Sequence, residues 1–397
     1  MARLFLVLVG VVNALIGFST TVRAQNVSPA VDVATLSPEA AIVYRTWQHY
    51  LAAKEGKWSE RAGLPSPDWL ESEQRRWRTF DLAGYYLIDG ATAEISSIER
   101  VQSCGAAAYR ITTRFRHGDQ SLRPPSWWTA VTETVFAVRD GDRWLLANAL
   151  PHNTCTWRRV TVGAIMYVFA PDYPYNAARA RRAVAFVDSL ASAFQLPGLD
   201  SLTYYLTANV DEMYRIVGLE SDLKYGPGPV GGLAQPVNRQ LFSGHSAIGE
   251  EYRHELAHLI LAPLCCMRTS YFVSEGVPTW LGGTAGMDFP TAARGLAAFL
   301  GEHPSVSLDS ILSGSFPSTQ VYPAGGVLTA MVFEQGGIAA VKGLFNAGRT
   351  AAELRVALER QLGRAWPTIV HDWRRRVMEF AKPSTDRRFD QRLAAPL

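Results

Sequence analysis

An excess of charge of either sign is missing from this chain. Its 397 residues carry 39 Lys and Arg against 36 Asp and Glu, a formal net charge of +3. No basic cluster with interleaved aromatics appears, so no nucleic-acid partner is expected. The run Arg374, Arg375, Arg376 reads instead as the solvated face of a C-terminal helix. Long apolar runs are as scarce. Past the N-terminus, "HLILAPLCCM" (258–267) is far too short to cross a bilayer, so no integral span is expected once the N-terminal stretch is removed. No internal repeat is present. Cysteine is limited to four residues, which allow three pairings.

What is present describes a globular, two-part chain. Apolar residues make up 48% and charged residues 19%, and the length exceeds one typical core. Arg3, the apolar stretch 4–18 and the small residues of "TVRA" (21–24) form a secretory signal pattern with cleavage after Ala24. An uncleaved anchor is the alternative, and the stretch is short for one. Export to a periplasm or the cell exterior implies an oxidising compartment. Cys104 and Cys155 lie at opposite ends of an expected β segment and are the first choice for a bridge. Cys265 and Cys266 are adjacent and read as buried thiols, with a vicinal disulfide or metal ligation as alternatives.

The periodicities give an α+β chain. Residues 25–36 read as a flexible leader and 37–156 as an accessory unit. That unit opens with a helix over 37–56, capped by Ser37 and stopped at Gly56. Period-two alternation follows in 92–101, 108–117, 129–138 and 143–150, with an Asp-Gly turn before the last. A helix followed by antiparallel strands vaguely resembles the cone-shaped nuclear-transport-factor-like domains. From 157 to 382 the texture changes. Strands are expected at 160–171 and 201–208, a long helix at 176–198, and an irregular strand at 233–244. Beyond the motif described next, helices are expected near 290–302, 307–313, 322–335, 337–347, 350–362 and 366–381. Residues 383–397 read as a loose polar tail.

The stretch "EEYRHELAHLI" (250–260) carries the chemistry. His254 and His258, four apart on a helix, can direct two imidazole nitrogens at one ion. Glu255 points about 100° around the helix, away from the ion, where it can take a proton from a nearby water. A catalytic zinc needs a third protein ligand and an open position. Glu275 in "YFVSEGVPTWLGG" (271–283) is the best candidate, across a turn marked by Pro263. Pro278 is tolerable in a first helical turn, which places Glu275 at or just before the start of a second helix.

"HELAH" (254–258) followed by "SEGVPTWLGG" (274–283) resembles the gluzincin metallopeptidases, in particular the bacterial peptidase MA-like group. The likeness covers about residues 157–380. It extends to "VYPAGGVLTAMVFEQGGIAAVKGLF" (321–345) and "WPTIVHDWRRRVMEF" (366–380). The resemblance implies a zincin-like domain with a small sheet and a mostly helical C-terminal half. It implies one Zn2+ per chain held by His254, His258 and Glu275, with Glu255 as general base and Tyr322 as oxyanion donor. His371 and His303 are alternative donors, and His245 reads as polar surface near a helix cap. Pro278 stands where the family has Ala, and Thr279 where some relatives carry an acidic residue supporting a ligand histidine. Glu250, Glu251 and Asp309 are therefore candidates for that support.

The resulting expectation is an exported zinc metallopeptidase, leaning to an endopeptidase, acting on a peptide or protein substrate. The alternatives are an inactive binding or scaffold protein on the same fold, and a zinc hydrolase of a non-peptide amide or ester. "LAQPVNRQLF" (233–242) is a candidate edge strand for pairing with an extended peptide, because Pro236 suits an edge.

Overall fold

The computed structural model describes residues 28–29, 31–54, 66–73, 91–117, 130–221, 231–265, 269–313 and 316–381. The expected signal segment 1–24, the expected tail 383–397 and Cys266 lie outside them. The chain is α+β, as its periodicities imply.

The first unit is a sheet crossed by one helix. Strands β1 (Ser28–Pro29), β2 (Ala91–Ser103), β3 (Ala106–His117), β4 (Ala130–Asp140) and β5 (Arg143–Asn148) lie in chain order. β2 to β5 form an antiparallel meander, and β1 pairs parallel to β2. The leader is therefore partly ordered, because the β2 edge offers unpaired backbone groups that Ser28–Pro29 occupies. Alternation sends Tyr109, Ile111 and Phe115 inward, where they meet Val43, Trp47, Tyr50 and Leu51 of α1 (Pro38–Lys54). The Trp47 Nε1–H donates to Thr113 Oγ1 at 2.7 Å, satisfying two polar groups in that core. Arg110, Arg114 and Arg116 take the outer face, with Arg110 and Arg116 paired to Glu99 and Glu94. A disulfide joins Cys104, in the β2–β3 turn, to Cys155 just past α2 (Ala149–Asn153), with Cα atoms 5.7 Å apart. Cys265, expected as a buried thiol, is exposed because it follows the end of a helix in a surface turn.

The second sheet runs in the order β10 (Gly232–Gln235), β11 (Gln240–Ser243), β8 (Leu202–Leu206), β7 (Ile165–Phe169), β6 (Arg158–Val162). The single strand expected at 160–171 is a hairpin, turned at Gly163 with φ +55°. The irregular strand expected at 233–244 is also a hairpin. Its first arm, β10, sits at the sheet edge, and its second, β11, runs parallel to β8 inside the sheet. Pro236 falls in the connecting turn, where no ladder donor is required.

Period two sorts this sheet between two cores. Tyr167, Phe169, Tyr204, Leu206 and Leu241 face α3 (Ala177–Ala193) and the helical half. Val168, Tyr205 and Phe242 face the other way, into the core of the first unit. After α4 (Val210–Ile216), β9 (Leu219–Ser221) pairs with β4, so the second half of the chain adds a strand to the first sheet. The two units share apolar burial across one face of the second sheet.

The remainder is helical: α5 (Arg253–Leu261), α6 (Tyr271–Gly282), α7 (Phe289–Glu302), α8 (Leu308–Leu312), α9 (Ser318–Leu344), α10 (Ala351–Leu362) and α11 (Trp366–Glu379). The two helices expected at 322–335 and 337–347 are present as the two arms of α9, which meet at a kink of non-helical backbone at Gly336 and Gly337. By length and apolar composition α9 is long enough to cross a membrane, which the sequence reading of short apolar runs passed over. Half of its most apolar window is buried inside the fold. The Trp373 Nε1–H of α11 donates to the Ala324 carbonyl at 3.1 Å, tying α11 to α9.

Candidate metal centre

Three side chains converge between α5 and α6. The α5 helix stacks His254 and His258 one turn apart, and α6 supplies Glu275. His254 Nε2 lies 3.1 Å from His258 Nε2 and 3.3 Å from Glu275 Oε2; His258 Nε2 lies 3.4 Å from the same oxygen. Glu275 is fully buried, His254 nearly so, and His258 partly. A buried group of two imidazoles and one carboxylate could hold a metal ion.

The donor set gives a physical reason for a cation to bind there. The His254 Nδ1–H donates to the Gly283 carbonyl at 2.8 Å, because a carbonyl can only accept. In the neutral ring Nε2 is then a lone pair, turned towards a carboxylate and a second ring nitrogen. Facing acceptors in a dry site repel unless a proton or metal ion lies between them. A proton on each Nε2 is one way to supply that positive charge. Burial pushes the Glu275 carboxyl up, but the positive His258 ring and hydrogen bonds from both histidines outweigh it and hold it at about 2. Burial likewise pushes His258 down, and Glu275 more than reverses this. Among the described residues, Glu275 Oε1 has no hydrogen-bond partner.

The α6 helix differs from its expected layout. Pro278 lies in its interior and Glu275 in its second turn, because the helix starts seven residues before Pro278. Ser270 caps that start by accepting the Val273 N–H, and Phe272 and Val273 are buried immediately after it. Pro278 denies an N–H to the Ser274 carbonyl, a cost the buried packing of α6 offsets. Thr279 donates its hydroxyl to the Glu275 carbonyl at 2.7 Å.

Support for His254 comes from the backbone, and none of the three acidic candidates reaches it. Glu250 accepts the Asn176 N–H, Glu251 pairs with Arg182 and Arg253, and Asp309 binds Arg355 and the Trp366 indole. Gly283 has φ +76° and ψ −162°, and a Cβ there would collide with the Met287 carbonyl. Only glycine turns its carbonyl towards His254 in this way. The "LGG" at 281–283 held that signal, but a carbonyl's direction is not written in residue type.

Glu255 is buried beside the cluster, under the edge strand. Burial raises its pKa; the rings of His258 and His254 oppose this, Glu275 adds to it, and a hydrogen bond from the Ala234 backbone opposes it again. Among the described residues, its Oε2 has no hydrogen-bond partner. A Cβ at Gly232 would come within 2.6 Å of Glu255 Cγ, so glycine lets β10 approach α5 this closely.

Tyr322 stacks on His254, ring centroids 5.7 Å apart and planes 11° from parallel. Helix packing puts it there. At the crossing of α6 and α9, a Cβ on Gly276 would lie 2.7 Å from the Gly325 backbone, so the helices touch main chain to main chain. Glu275 precedes that contact on α6, and Tyr322 lies one turn before it on α9. The glycine after Glu275 thus sets how near the tyrosine stands to the carboxylate. Burial pushes the Tyr322 phenol far above its ordinary range, so it keeps its proton. His303 is exposed at the end of α7, bonded to the Phe299 carbonyl, and His371 is exposed on α11. His245 accepts the Ala247 N–H in a surface turn.

No protein-family model matches this chain, and none of the curated proteins compared with it matches either.

Proposed function

We propose that the protein is an exported zinc-dependent peptidase. The observation that carries this reading is the spacing of the three acceptor atoms, 3.1, 3.3 and 3.4 Å apart. Ligands about 2.0–2.1 Å from a tetrahedral zinc stand roughly 3.3 Å from one another. Two imidazoles and a carboxylate are also a donor set that catalytic zinc uses, with a fourth position left open.

When bound, the ion would polarise a substrate carbonyl and make a water more acidic. The protein's own groups supply the rest. Glu255, buried and proton-hungry, takes a proton from the attacking water and delivers it to the leaving amine nitrogen. Tyr322 keeps its proton and donates a hydrogen bond to the carbonyl oxygen as that atom gains charge. His254 is locked in the tautomer that presents Nε2 by the Gly283 carbonyl. A peptide fits better than a non-peptide ester because β10 is an outer strand beside Glu255. An extended chain added to that edge runs past the base. The Cys104–Cys155 disulfide suits an exported protein.

The test is a peptide-library digest with zinc-loaded protein. The reading expects cleavage that a chelator abolishes and added zinc restores. Zinc-loaded wild type that cleaves no member would overturn the peptidase reading in favour of a binding protein.

A further inference from the structure

We infer that Tyr271 is a positioning residue that fixes the hydroxyl of Tyr322 for donation to the reacting carbonyl oxygen. The inference rests on the peptidase reading above and adds to it a residue that the motifs do not mark.

The observation is a phenol pair. The hydroxyls of Tyr271 and Tyr322 are hydrogen-bonded at 3.0 Å, with ring centroids 6.1 Å apart. Among the described residues, that is the hydrogen bond the Tyr322 hydroxyl makes. A phenol has one proton to give. If Tyr322 gives it to Tyr271, none is left for an oxyanion. If Tyr271 donates instead, the Tyr322 proton is free to face the cluster.

The surroundings favour the second arrangement. Tyr271 is the first residue of α6, one turn before Glu275 and on the same face. It is partly exposed, so its oxygen can accept from water while its proton goes inward. Tyr322 is buried, stacks on the His254 ring and lies close enough to Glu275 and Glu255 to feel their charge. A phenol oxygen that accepts a hydrogen bond also becomes a stronger donor through its own proton. Tyr271 thus holds Tyr322 in direction and strengthens it, without touching the substrate.

The test is a double-variant cycle on zinc-loaded enzyme with a peptide the wild type cleaves. Removing a direct oxyanion donor lowers kcat by about 100- to 1,000-fold, which is the expectation for Tyr322→Phe. Tyr271→Phe should lower kcat by roughly 10-fold, leaving KM and zinc content unchanged, since it removes only the orientation of that donor. The double variant should be no slower than Tyr322→Phe alone, because Tyr271 acts through Tyr322. A Tyr271→Phe enzyme with wild-type kcat, or a double variant as slow as the product of the two single effects, would overturn the inference. The urea midpoints of the four metal-free proteins give a readout independent of turnover. The shift of the double variant should fall short of the sum of the single shifts if the bond exists. Additive shifts would refute the bond itself. A wild type that cleaves nothing removes the peptidase reading and the relay with it, while the urea cycle still reports the bond.

Discussion

Two buried carboxylates lie near the start of the motif helix, and they are satisfied in opposite ways. Glu250, just before α5, meets donors. Its Oε1 accepts the Asn176 N–H at 2.7 Å, and its Oε2, without a hydrogen-bond partner among the described residues, faces the Arg179 charge at 3.9 Å. The carbonyls of Gly249 and Glu250 accept from the hydroxyls of Tyr204 and Tyr167. Glu275, across from the same helix, meets two imidazole nitrogens, one of them held as an acceptor by Gly283. One cluster is a clamp that docks α5 on the second sheet and α3. The other gathers acceptors that need a proton or a metal ion between them. Burial of acidic groups therefore does not mark a site; the sign of what surrounds them does.

The comparison can be strained at several points. The largest effect belongs to the reacting side of α5. Glu255→Gln should keep its metal and lose about 1,000-fold in kcat, as expected for a lost general base. Parallel loss of metal in that variant would mean that Glu255 is a ligand, and the clean division between the two ends would fail.

Reduction of the Cys104–Cys155 disulfide acts on neither carboxylate. The bridge spans 51 positions, and closing a loop of that size contributes about 4 kcal/mol. Urea denaturation of Cys104→Ser/Cys155→Ser should show a loss near that size, with metal content of the folded protein unchanged. Loss of metal from the folded variant would show that the first unit helps to hold the cluster.

Replacing Gly283 probes how the acceptor face is made. Gly283→Ala cannot keep φ +76° without strain, and its carbonyl should turn from His254. Metal affinity should fall about 10- to 100-fold, the usual scale for a group that orients a ligand histidine. Competition with a chromophoric chelator measures it, and unchanged affinity would rule out the carbonyl's role.

The smallest effect is at the clamp. Burial raises the Glu250 pKa, opposed by the hydrogen bond from Asn176 and by Arg179. The folded state therefore binds this proton more tightly than the unfolded chain does. Its contribution is complete below the ordinary carboxylate pKa and is lost as pH rises through the higher folded value. Glu250→Gln cannot ionise. Between about pH 4 and pH 7, near the ordinary range of Glu, it should lose less stability than the wild type. Parallel pH profiles in denaturant melts would contradict the assignment.

Much of this was legible in the sequence, and the exceptions have physical causes. Helices with a strong cap and period, such as Pro38–Lys54 and Ala351–Leu362, fall where Ser37 and Thr350 place them. The strands of the first unit follow their alternation. The hairpin at Gly163 was hidden because apolar residues continue through the turn, the mark of a strand buried on both faces. The Val210–Ile216 helix was passed over although Asn209 caps it, since seven residues carry little periodicity. At the cluster, His254, His258, Glu255 and Glu275 were readable from spacing, and the structure brings them together. The Gly283 carbonyl and the Tyr271 hydroxyl were not, because their roles depend on backbone direction and helix crossing rather than on residue type. Pro278 misled for the same reason: burial of Phe272 and Val273 overrides its preference for a first turn.

The most direct test of the central claim is metal content, measured by elemental analysis on protein purified without chelator. Wild type and Glu250→Gln should each carry about one zinc per chain, the content of a single three-ligand site. Glu275→Ala should carry almost none while remaining folded. Wild-type protein without stoichiometric metal, or Glu275→Ala retaining it, would contradict the account.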